Sequence, residues 1–130
     1  MSKVVIEAAI AVHRHFGEGV LESIYVKALA QELNLRGIKT DEEVPCELNY
    51  KGRVWSEKIR CDLLVDDCLI VEAKSIEPCD LQRFRMQLLS YMKLLDMPLG
   101  LVMNFSDEHF ARHGIARVIL KGADDGAVPF

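Results

Sequence analysis

The sequence lacks a run of about 20 apolar residues, and its N-terminus lacks a charged, apolar and cleavable signal segment. It also has no internal repeat, long linker or low-complexity stretch. These absences argue against a membrane protein and a secreted one, so we expect a cytoplasmic location. Half of the 130 residues are hydrophobic, which predicts one folded domain over residues 1–130, with a loose tail from about residue 121.

The sequence has few features of a zinc-binding or strongly basic protein. None of its four cysteines forms a C-x-x-C pair, which argues against a zinc ribbon or an iron–sulfur site and favours reduced thiols. The net charge of −4 argues against a broad basic surface for nonspecific duplex binding. It leaves a metal-dependent site open, because divalent cations cancel part of a carboxylate charge.

Hydrophobic periodicity predicts an α/β fold with the order α-α-β-β-β-α-β-β. Pro45 marks the first strand as an edge strand, and Asp80 is a suitable N-cap for the third helix. A polar loop is expected over residues 106–114. The predicted helices cover residues 4–16, 21–36 and 81–95, and the predicted strands cover residues 38–50, 54–65, 69–74, 99–105 and 115–120.

The stretch from Cys61 to Lys74 is the most informative one, because Asp62, Glu72 and Lys74 interrupt two apolar runs. Buried charges are costly unless they are paired or bind a metal. If residues 66–68 form a three-residue loop, Asp62 lies opposite Glu72, and Lys74 shares their face of the sheet. A two-residue loop would put the two carboxylates on opposite faces.

Three residues of the first two helices are further candidates for the site. Glu22 in the first turn of the second helix has a simpler interpretation as a carboxylate that stabilises the helix dipole. Tyr25, one turn later, has a simpler interpretation as a core ring. His13, near the end of the first helix, has a simpler interpretation as a packed or capping histidine.

The third helix offers a second group of candidates. Gln87 and Tyr91 lie one turn apart on the same side, where a surface amide and a boundary tyrosine are the simpler interpretation. Arg83 and Arg85 lie near the N-terminal end of this helix, which favours anions.

Three short motifs in this order resemble a known superfamily. The segment from Gly19 to Tyr25 matches G-x-x-E-x-x-Y, the signature that names a family of small bacterial proteins. Asp62 with Glu72-Ala73-Lys74 resembles the D…E-x-K core of the PD-(D/E)XK nucleases, although Cys61 replaces the proline of that motif. The segment from Gln87 to Tyr91 resembles the Q-x-x-x-Y motif of its phage-exonuclease and helicase-nuclease branch. The resemblance covers roughly residues 4–120.

The resemblance implies a restriction-endonuclease-like core, in which helices flank a central mixed sheet. It implies that Glu22, Asp62 and Glu72 bind one or two Mg²⁺ or Mn²⁺ ions with the carbonyl of Ala73, since hard cations prefer oxygen ligands. Lys74 would stabilise charge and position the attacking water. Gln87 and Tyr91 would orient the metal shell or the substrate, with Tyr25 and His13 as auxiliary residues and Arg83 and Arg85 as substrate-binding ones.

The expected function is hydrolysis of nucleic acid, with DNA favoured over RNA, and the expected partners are nucleic acid and a second copy or another protein. Two alternatives remain open. The chain is close to the minimal core of such a nuclease, so it also fits a non-catalytic binding or regulatory module. Asp62, Glu72 and Lys74 would also fit a purely structural salt-bridge network, in which case Glu22 and Gln87 should lie far from them.

Overall fold

A computed structural model describes residues 1–77 and 80–120, and it describes only the backbone of residues 46 and 56–59. Part of the predicted loop around Pro78, and the predicted tail, lie outside the described residues. No helix in the described part is long and apolar enough to cross a membrane. The elements are α1 Ser2–Phe16, α2 Glu22–Leu35, β1 Thr40–Tyr50, β2 Arg53–Val65, β3 Leu69–Lys74, α3 Leu81–Leu95, β4 Leu99–Asn104, α4 Phe110–His113 and β5 Ile115–Ile119.

The predicted α/β fold class is confirmed, with one additional element. The predicted loop over residues 106–114 contains the single-turn helix α4. This turn has only one fully buried apolar side chain, Phe110, so it has no hydrophobic periodicity that would predict a helix. Asp80 caps α3 as predicted, because its carboxylate accepts the backbone N–H of Arg83 at 3.3 Å.

The five strands form one mixed sheet in the order β1-β2-β3-β4-β5. Strands β3 and β4 are parallel and connected through α3, whereas the other neighbouring pairs are antiparallel. The prediction that β1 is an edge strand is confirmed. The β1–β2 ladder shifts its register between Pro45 and Cys46, near Glu43, which has a left-handed φ of 51°.

Two hydrophobic layers cover the two faces of the sheet. Helices α1 and α2 pack on one face around Tyr25, Leu29 and Phe105. Helix α3 packs on the other face, where Leu88 and Met92 contact the layer that contains Ile70. Alternation along β3 therefore directs Glu72 to the same face as Ile70, the face that α3 covers.

The turn between β2 and β3 has the predicted three-residue length. Val65 pairs with Leu69 and Leu63 pairs with Val71, which leaves residues 66–68 in the loop. Asp66 and Asp67 have left-handed φ values of 51° and 53°, the backbone that tight hairpin turns require and that Asp tolerates. The backbone N–H of Cys68 closes the turn on the carbonyl of Val65 at 3.1 Å.

Candidate functional site

The carboxylates of Asp62 and Glu72 link β2 to β3 where the described ladder between these strands ends. The last paired residues are Leu63 and Val71. One step further, Glu72 Oε1 accepts the backbone N–H of Asp62 at 3.1 Å, and Asp62 Oδ2 accepts the backbone N–H of Ala73 at 2.8 Å. The two side chains are therefore held in fixed positions opposite each other, as the predicted register requires.

Burial dominates the electrostatics of this pair. Glu72 is 4 % exposed, and its burial, together with the neighbouring carboxylate of Asp62, raises its pKa to about 8. The pKa of Asp62 is also raised, chiefly by burial, and the N–H of Ala73 and the charge of Lys74 oppose this increase. Burial disfavours the charged form of a carboxylate. The charged forms of this pair are therefore destabilised, and a nearby cation would offset that cost.

Lys74 is the cation that the sequence provides at this site. It lies two residues after Glu72, on the α3 face of the sheet, and its Nζ is 4.8 Å from the centroid of the Phe84 ring. Its charge lowers the pKa of both Asp62 and Glu72. The structure therefore brings Asp62, Glu72 and Lys74 together, which is the constellation predicted from the hairpin.

Glu22 reaches the same end of β3 from the other side of the sheet. Its side chain is exposed, but Oε1 accepts the backbone N–H of Ser75, the residue after Lys74, at 3.2 Å. The charge of Glu22 raises the pKa of both Asp62 and Glu72. The side chain is therefore tied to the edge of the sheet that carries the two carboxylates, which is not the arrangement expected if these charges were only a local salt-bridge network.

Tyr25 holds the loop that leads to Glu22. Its ring is fully buried and stacks on Phe105, with 4.3 Å between the ring centroids. Its hydroxyl donates to the carbonyl of Gly17 and accepts the N–H of Val20, the latter at 3.2 Å. The tyrosine therefore fixes the turn that precedes Glu22, in which the motif glycine, Gly19, has a positive φ of 81°.

His13 belongs to the opposite face of the sheet from Lys74. Its ring stacks on Phe110 with 4.7 Å between the centroids and lies near Phe105, within the layer formed with α1 and α2. Its buried Nε2 has no hydrogen-bond partner within the described part of the chain. These contacts fit the packed histidine that the sequence left as an alternative.

Helix α3 contacts the site through Phe84, whose ring centroid lies 4.8 Å from Lys74 Nζ. Gln87 is exposed and follows Phe84 by about one turn, while Tyr91 lies a turn further on and packs against the core beneath α3. Arg83 and Arg85 are exposed in the first turns of α3. The exposed surface of α3 therefore carries Gln87 and the two arginines, on the same helix as Phe84.

Three polar residues that the sequence analysis missed organise the segment after Lys74. Asn104 is buried, and its amide donates to the carbonyl of Ile76 at 3.1 Å and accepts the N–H of Ser106 at 3.2 Å. The hydroxyl of Ser75 donates to the carbonyl of Val20 at 2.9 Å and lies 3.2 Å from that of Ser106. The sequence contained a signal for these residues, because polar residues lie at or just after the ends of β3 and β4, and parallel strands end at the same edge of a sheet.

A divalent cation fits the donors of this site in part. A carboxylate has about four lone-pair positions, so Asp62 and Glu72 retain acceptor capacity beyond the hydrogen bonds to the backbone. Burial is the main reason why their pKa values are raised, and a bound cation would favour the charged forms. Among the side chains that the structure describes, however, no group of three from His, Cys, Asp or Glu is arranged to hold a metal.

The mixed five-stranded sheet, the flanking helices and the hairpin that carries Asp62, Glu72 and Lys74 define a restriction-endonuclease-like α/β fold. The family model described as the PD-(D/E)XK nuclease superfamily matches residues 1–118. The chain therefore belongs to the PD-(D/E)XK nuclease superfamily.

Comparisons with individual proteins add little. The search of curated proteins found no match. A solved structure titled "Crystal structure of SSO0001" aligns with a TM-score of 0.45 and 17% sequence identity, and the alignment covers 91% of this chain and 77% of that one.

Proposed function

We propose that this protein is a metal-dependent nuclease of the GxxExxY family that hydrolyses phosphodiester bonds, with DNA preferred over RNA. The observation that supports this best is the pair of carboxylates, Asp62 and Glu72, fixed opposite each other beside Lys74. A protein that needed these charges only for stability would gain by replacing them with apolar residues of similar size. Membership of a nuclease superfamily supports the same function.

The ligands of the ion would be oxygens of Asp62, Glu72 and Ala73, with Glu22 as a further ligand. Ala73 donates its N–H toward Asp62, and the carbonyl of the next residue, Lys74, accepts a hydrogen bond from Phe105 on the β4 side. Because successive carbonyls of a strand point in opposite directions, that of Ala73 is directed toward β2. Glu22, whose exposed side chain accepts the N–H of Ser75, would change rotamer to join them.

When bound, Mg²⁺ or Mn²⁺ lowers the pKa of a water molecule and neutralises charge on the phosphate. The side chains have separate tasks. Asp62 and Glu72 supply ligand oxygens, and their hydrogen bonds with backbone N–H groups hold these carboxylates in position. Lys74 keeps a positive charge beside the reacting phosphate and orients the attacking water. We assign Lys74 to charge stabilisation rather than to general base.

Helix α3 and the first two helices would supply the supporting residues. We assign Gln87 and Tyr91 to orientation of the metal shell or the substrate. Arg83 and Arg85 are exposed guanidinium groups suited to the phosphates of the substrate. Tyr25 acts on Glu22 through the loop, and we assign His13 to packing at the base of that loop rather than to the reaction.

The test is cleavage of labelled DNA and RNA oligonucleotides by purified protein with Mn²⁺. We expect Asp62→Asn and Lys74→Ala to lower the rate by about 10²–10³-fold, as loss of one group that stabilises charge in a transition state does. Asp67→Asn is the matched control, since it makes the same chemical change at an exposed position of the same hairpin. Equal cleavage by all four proteins would identify a contaminant and contradict the proposal.

A second function is favoured by one observation: in the described residues Glu22 does not join the other two carboxylates in a ligand group. The fold would then serve as a non-catalytic binding module. Titration calorimetry with Mn²⁺ separates the two functions. A nuclease should bind the ion in the wild type and lose that binding in Asp62→Asn, whereas a module would show no heat in either protein.

A further inference from the structure

The hairpin formed by β1 and β2 extends beyond the rest of the sheet. Strand β2 pairs with β3 only from Leu63 to Val65, whereas its pairing with β1 continues to Tyr50 and Arg53. From Asp62, β2 runs past the level of Lys74 and beyond the end of β3. At about 3.3 Å per residue, the tip lies roughly 20 Å beyond the edge that carries the carboxylates. We call residues 46–57 the arm.

One face of the arm combines aromatic and cationic side chains. Leu48 is opposite Trp55 and Tyr50 is opposite Arg53, and because side chains alternate along a strand, all four share one face. Tyr50 is 61 % exposed and Trp55 is 43 % exposed. In the turn, Lys51 lies over the Tyr50 ring at 5.4 Å from its centroid.

The charge of this tip differs from that of the whole chain. The chain has a net charge of −4, but Lys51 and Arg53 are the charged residues between Leu48 and Trp55. The arm contains two acids: Glu47 is opposite Ser56 and therefore belongs to the other face, and Glu57 is opposite Cys46 at the base of the arm, away from the tip. An anionic partner with flat apolar groups matches this surface in both charge and shape.

Addition of another strand to β1 is disfavoured just before the arm. An edge strand recruits a second copy through its free backbone groups, and Pro and bulges prevent this. Strand β1 has Pro45, a register shift directly after it, and a left-handed φ at Glu43. Within the arm itself, the exposed rings of Tyr50 and Trp55 form the surface that points to a partner.

We infer that the arm binds single-stranded nucleic acid, with bases stacked on Tyr50 and Trp55 and phosphates bound by Lys51 and Arg53. Unpaired bases expose the flat faces that stack on aromatic rings, whereas paired bases in a duplex do not. The inference rests on the proposed nuclease function, since it names the substrate class: single strands, or the unpaired ends and loops of larger molecules, held above the edge that carries Asp62 and Glu72.

The test uses the full chain with Glu72→Gln, so that binding is measured without cleavage. Trp55 is the sole tryptophan, and its fluorescence therefore reports on the arm alone. The probe is an oligothymidylate of about 20 nucleotides, longer than the roughly 4–16 nucleotides that a single-strand-binding fold covers. We expect quenching by this probe and weaker binding of a duplex of equal length.

Binding of a labelled oligothymidylate, followed by fluorescence anisotropy, then separates stacking from charge. Trp55→Ala and Tyr50→Ala should each weaken it roughly 5- to 100-fold, the range for loss of one stacking contact. Lys51→Ala should reduce the salt dependence of binding. Leu35→Ala, which removes an exposed apolar side chain from α2 (75 % exposed), should bind like the parent protein. Thermal denaturation confirms that each variant is folded.

Three results would overturn the inference: unchanged Trp55 fluorescence, arm variants that bind like Leu35→Ala, or equally tight binding of the duplex. A fourth is loss of a dimer on Trp55→Ala, measured by sedimentation, with oligonucleotide binding intact, which would make the face a protein interface. The proposed function is tested separately by cleavage in the wild type. If the wild type cleaves and the arm variants bind normally, only the inference about the arm is wrong. If the oligothymidylate quenches Trp55 but the wild type does not cleave, only the proposed nuclease function is wrong.

Discussion

The side chains of Asp62 and Glu72 each form a hydrogen bond with the other's strand. The backbone N–H of Asp62 donates to the carboxylate of Glu72, and the carboxylate of Asp62 accepts the N–H of Ala73, the residue after Glu72. The two side chains thus replace backbone hydrogen bonds of the hairpin where its described ladder ends. Their relative position depends on the register of β2 and β3. That register is set by the three-residue loop of residues 66–68.

The backbone of this loop should tolerate glycine and resist a β-branched residue. Asp66 has a φ of 51°, a conformation that costs L-residues about 1–2 kcal/mol and that Asp tolerates better than most. We expect Asp66→Val to lower the free energy of unfolding by about 1–2 kcal/mol and to reduce nuclease activity. Urea denaturation measures the first effect, and cleavage of oligonucleotides measures the second.

Asp66→Gly is the control for the loop, since it removes the same carboxylate but accepts positive φ freely. Its stability should remain within about 0.5 kcal/mol of the wild type, the usual range for a surface change. If Gly and Val at position 66 destabilise the protein equally, the loop conformation is not what fixes the register.

The stability of the metal-free protein should fall as pH rises through the neutral range. Burial raises the pKa of Glu72 from the ordinary value of 4.5 to about 8, so the folded protein binds this proton more tightly than the unfolded chain does. The contribution of the Glu72 proton to the free energy of unfolding is fully present below pH 4.5 and is lost as pH rises through about 8. A tenfold difference in proton affinity corresponds to about 1.4 kcal/mol, so thermal denaturation from about pH 4.5 to 8.5 should resolve the effect.

Glu72→Gln is the control for this dependence, because the amide cannot ionise and keeps nearly the same size. Its stability should change much less over the same pH range. Mn²⁺ should restore part of the lost stability of the wild type at about pH 8 and little of it in the variant. A wild-type protein that becomes more stable between about pH 5 and 8 in the absence of metal would contradict the raised pKa of Glu72.

Tyr25 should affect catalysis through the position of Glu22 rather than through contact with substrate. Tyr25→Phe keeps the stacked ring but removes the hydroxyl that bonds Gly17 and Val20. We expect a loss of about 1–2 kcal/mol in the free energy of unfolding. We also expect a fall in kcat of about tenfold, which is less than the loss from misplacing a reacting group by a full ångström.

The readout that identifies this positioning role is the metal dependence of the rate. If Tyr25 acts through Glu22, Tyr25→Phe should raise the Mn²⁺ concentration needed for half-maximal activity, as Glu22→Gln does, and the double variant should be no worse than Glu22→Gln alone. Additive losses in the double variant would show that Tyr25 acts independently of Glu22.

Local sequence chemistry predicted the hairpin well, because alternation and loop length determine which side chains of neighbouring strands face each other. It predicted the third helix for a similar reason, since Asp80 and the apolar stripe both act over a few residues. It did not predict how Ser75 and Asn104 fix the segment after Lys74, which depends on two strands far apart in sequence meeting at one edge. The buried stack of Tyr25 on Phe105 is equally non-local.

The contact between α3 and β4 gives a final prediction, because α3 carries Phe84 beneath Lys74. A Cβ at Gly100 would lie 2.6 Å from the sulfur of Met92 and 2.8 Å from Leu88 Cδ2. Gly100→Ala should therefore overpack this layer and cost about 1–3 kcal/mol. Met92→Ala alone should cost about 2–5 kcal/mol by leaving a cavity.

Since the methyl group added at position 100 would occupy space that the missing Met92 side chain leaves, the double variant Gly100→Ala/Met92→Ala should be more stable than the sum of the single losses by at least about 0.5 kcal/mol. Urea denaturation of the four proteins gives this coupling directly. If the clash also displaces α3, Gly100→Ala should lose activity that the second change recovers in part. Strictly additive changes in the free energy of unfolding would mean that the layer between α3 and the sheet accommodates the methyl group elsewhere. The tight contact of α3 with β4 would then not be what holds Phe84 under Lys74.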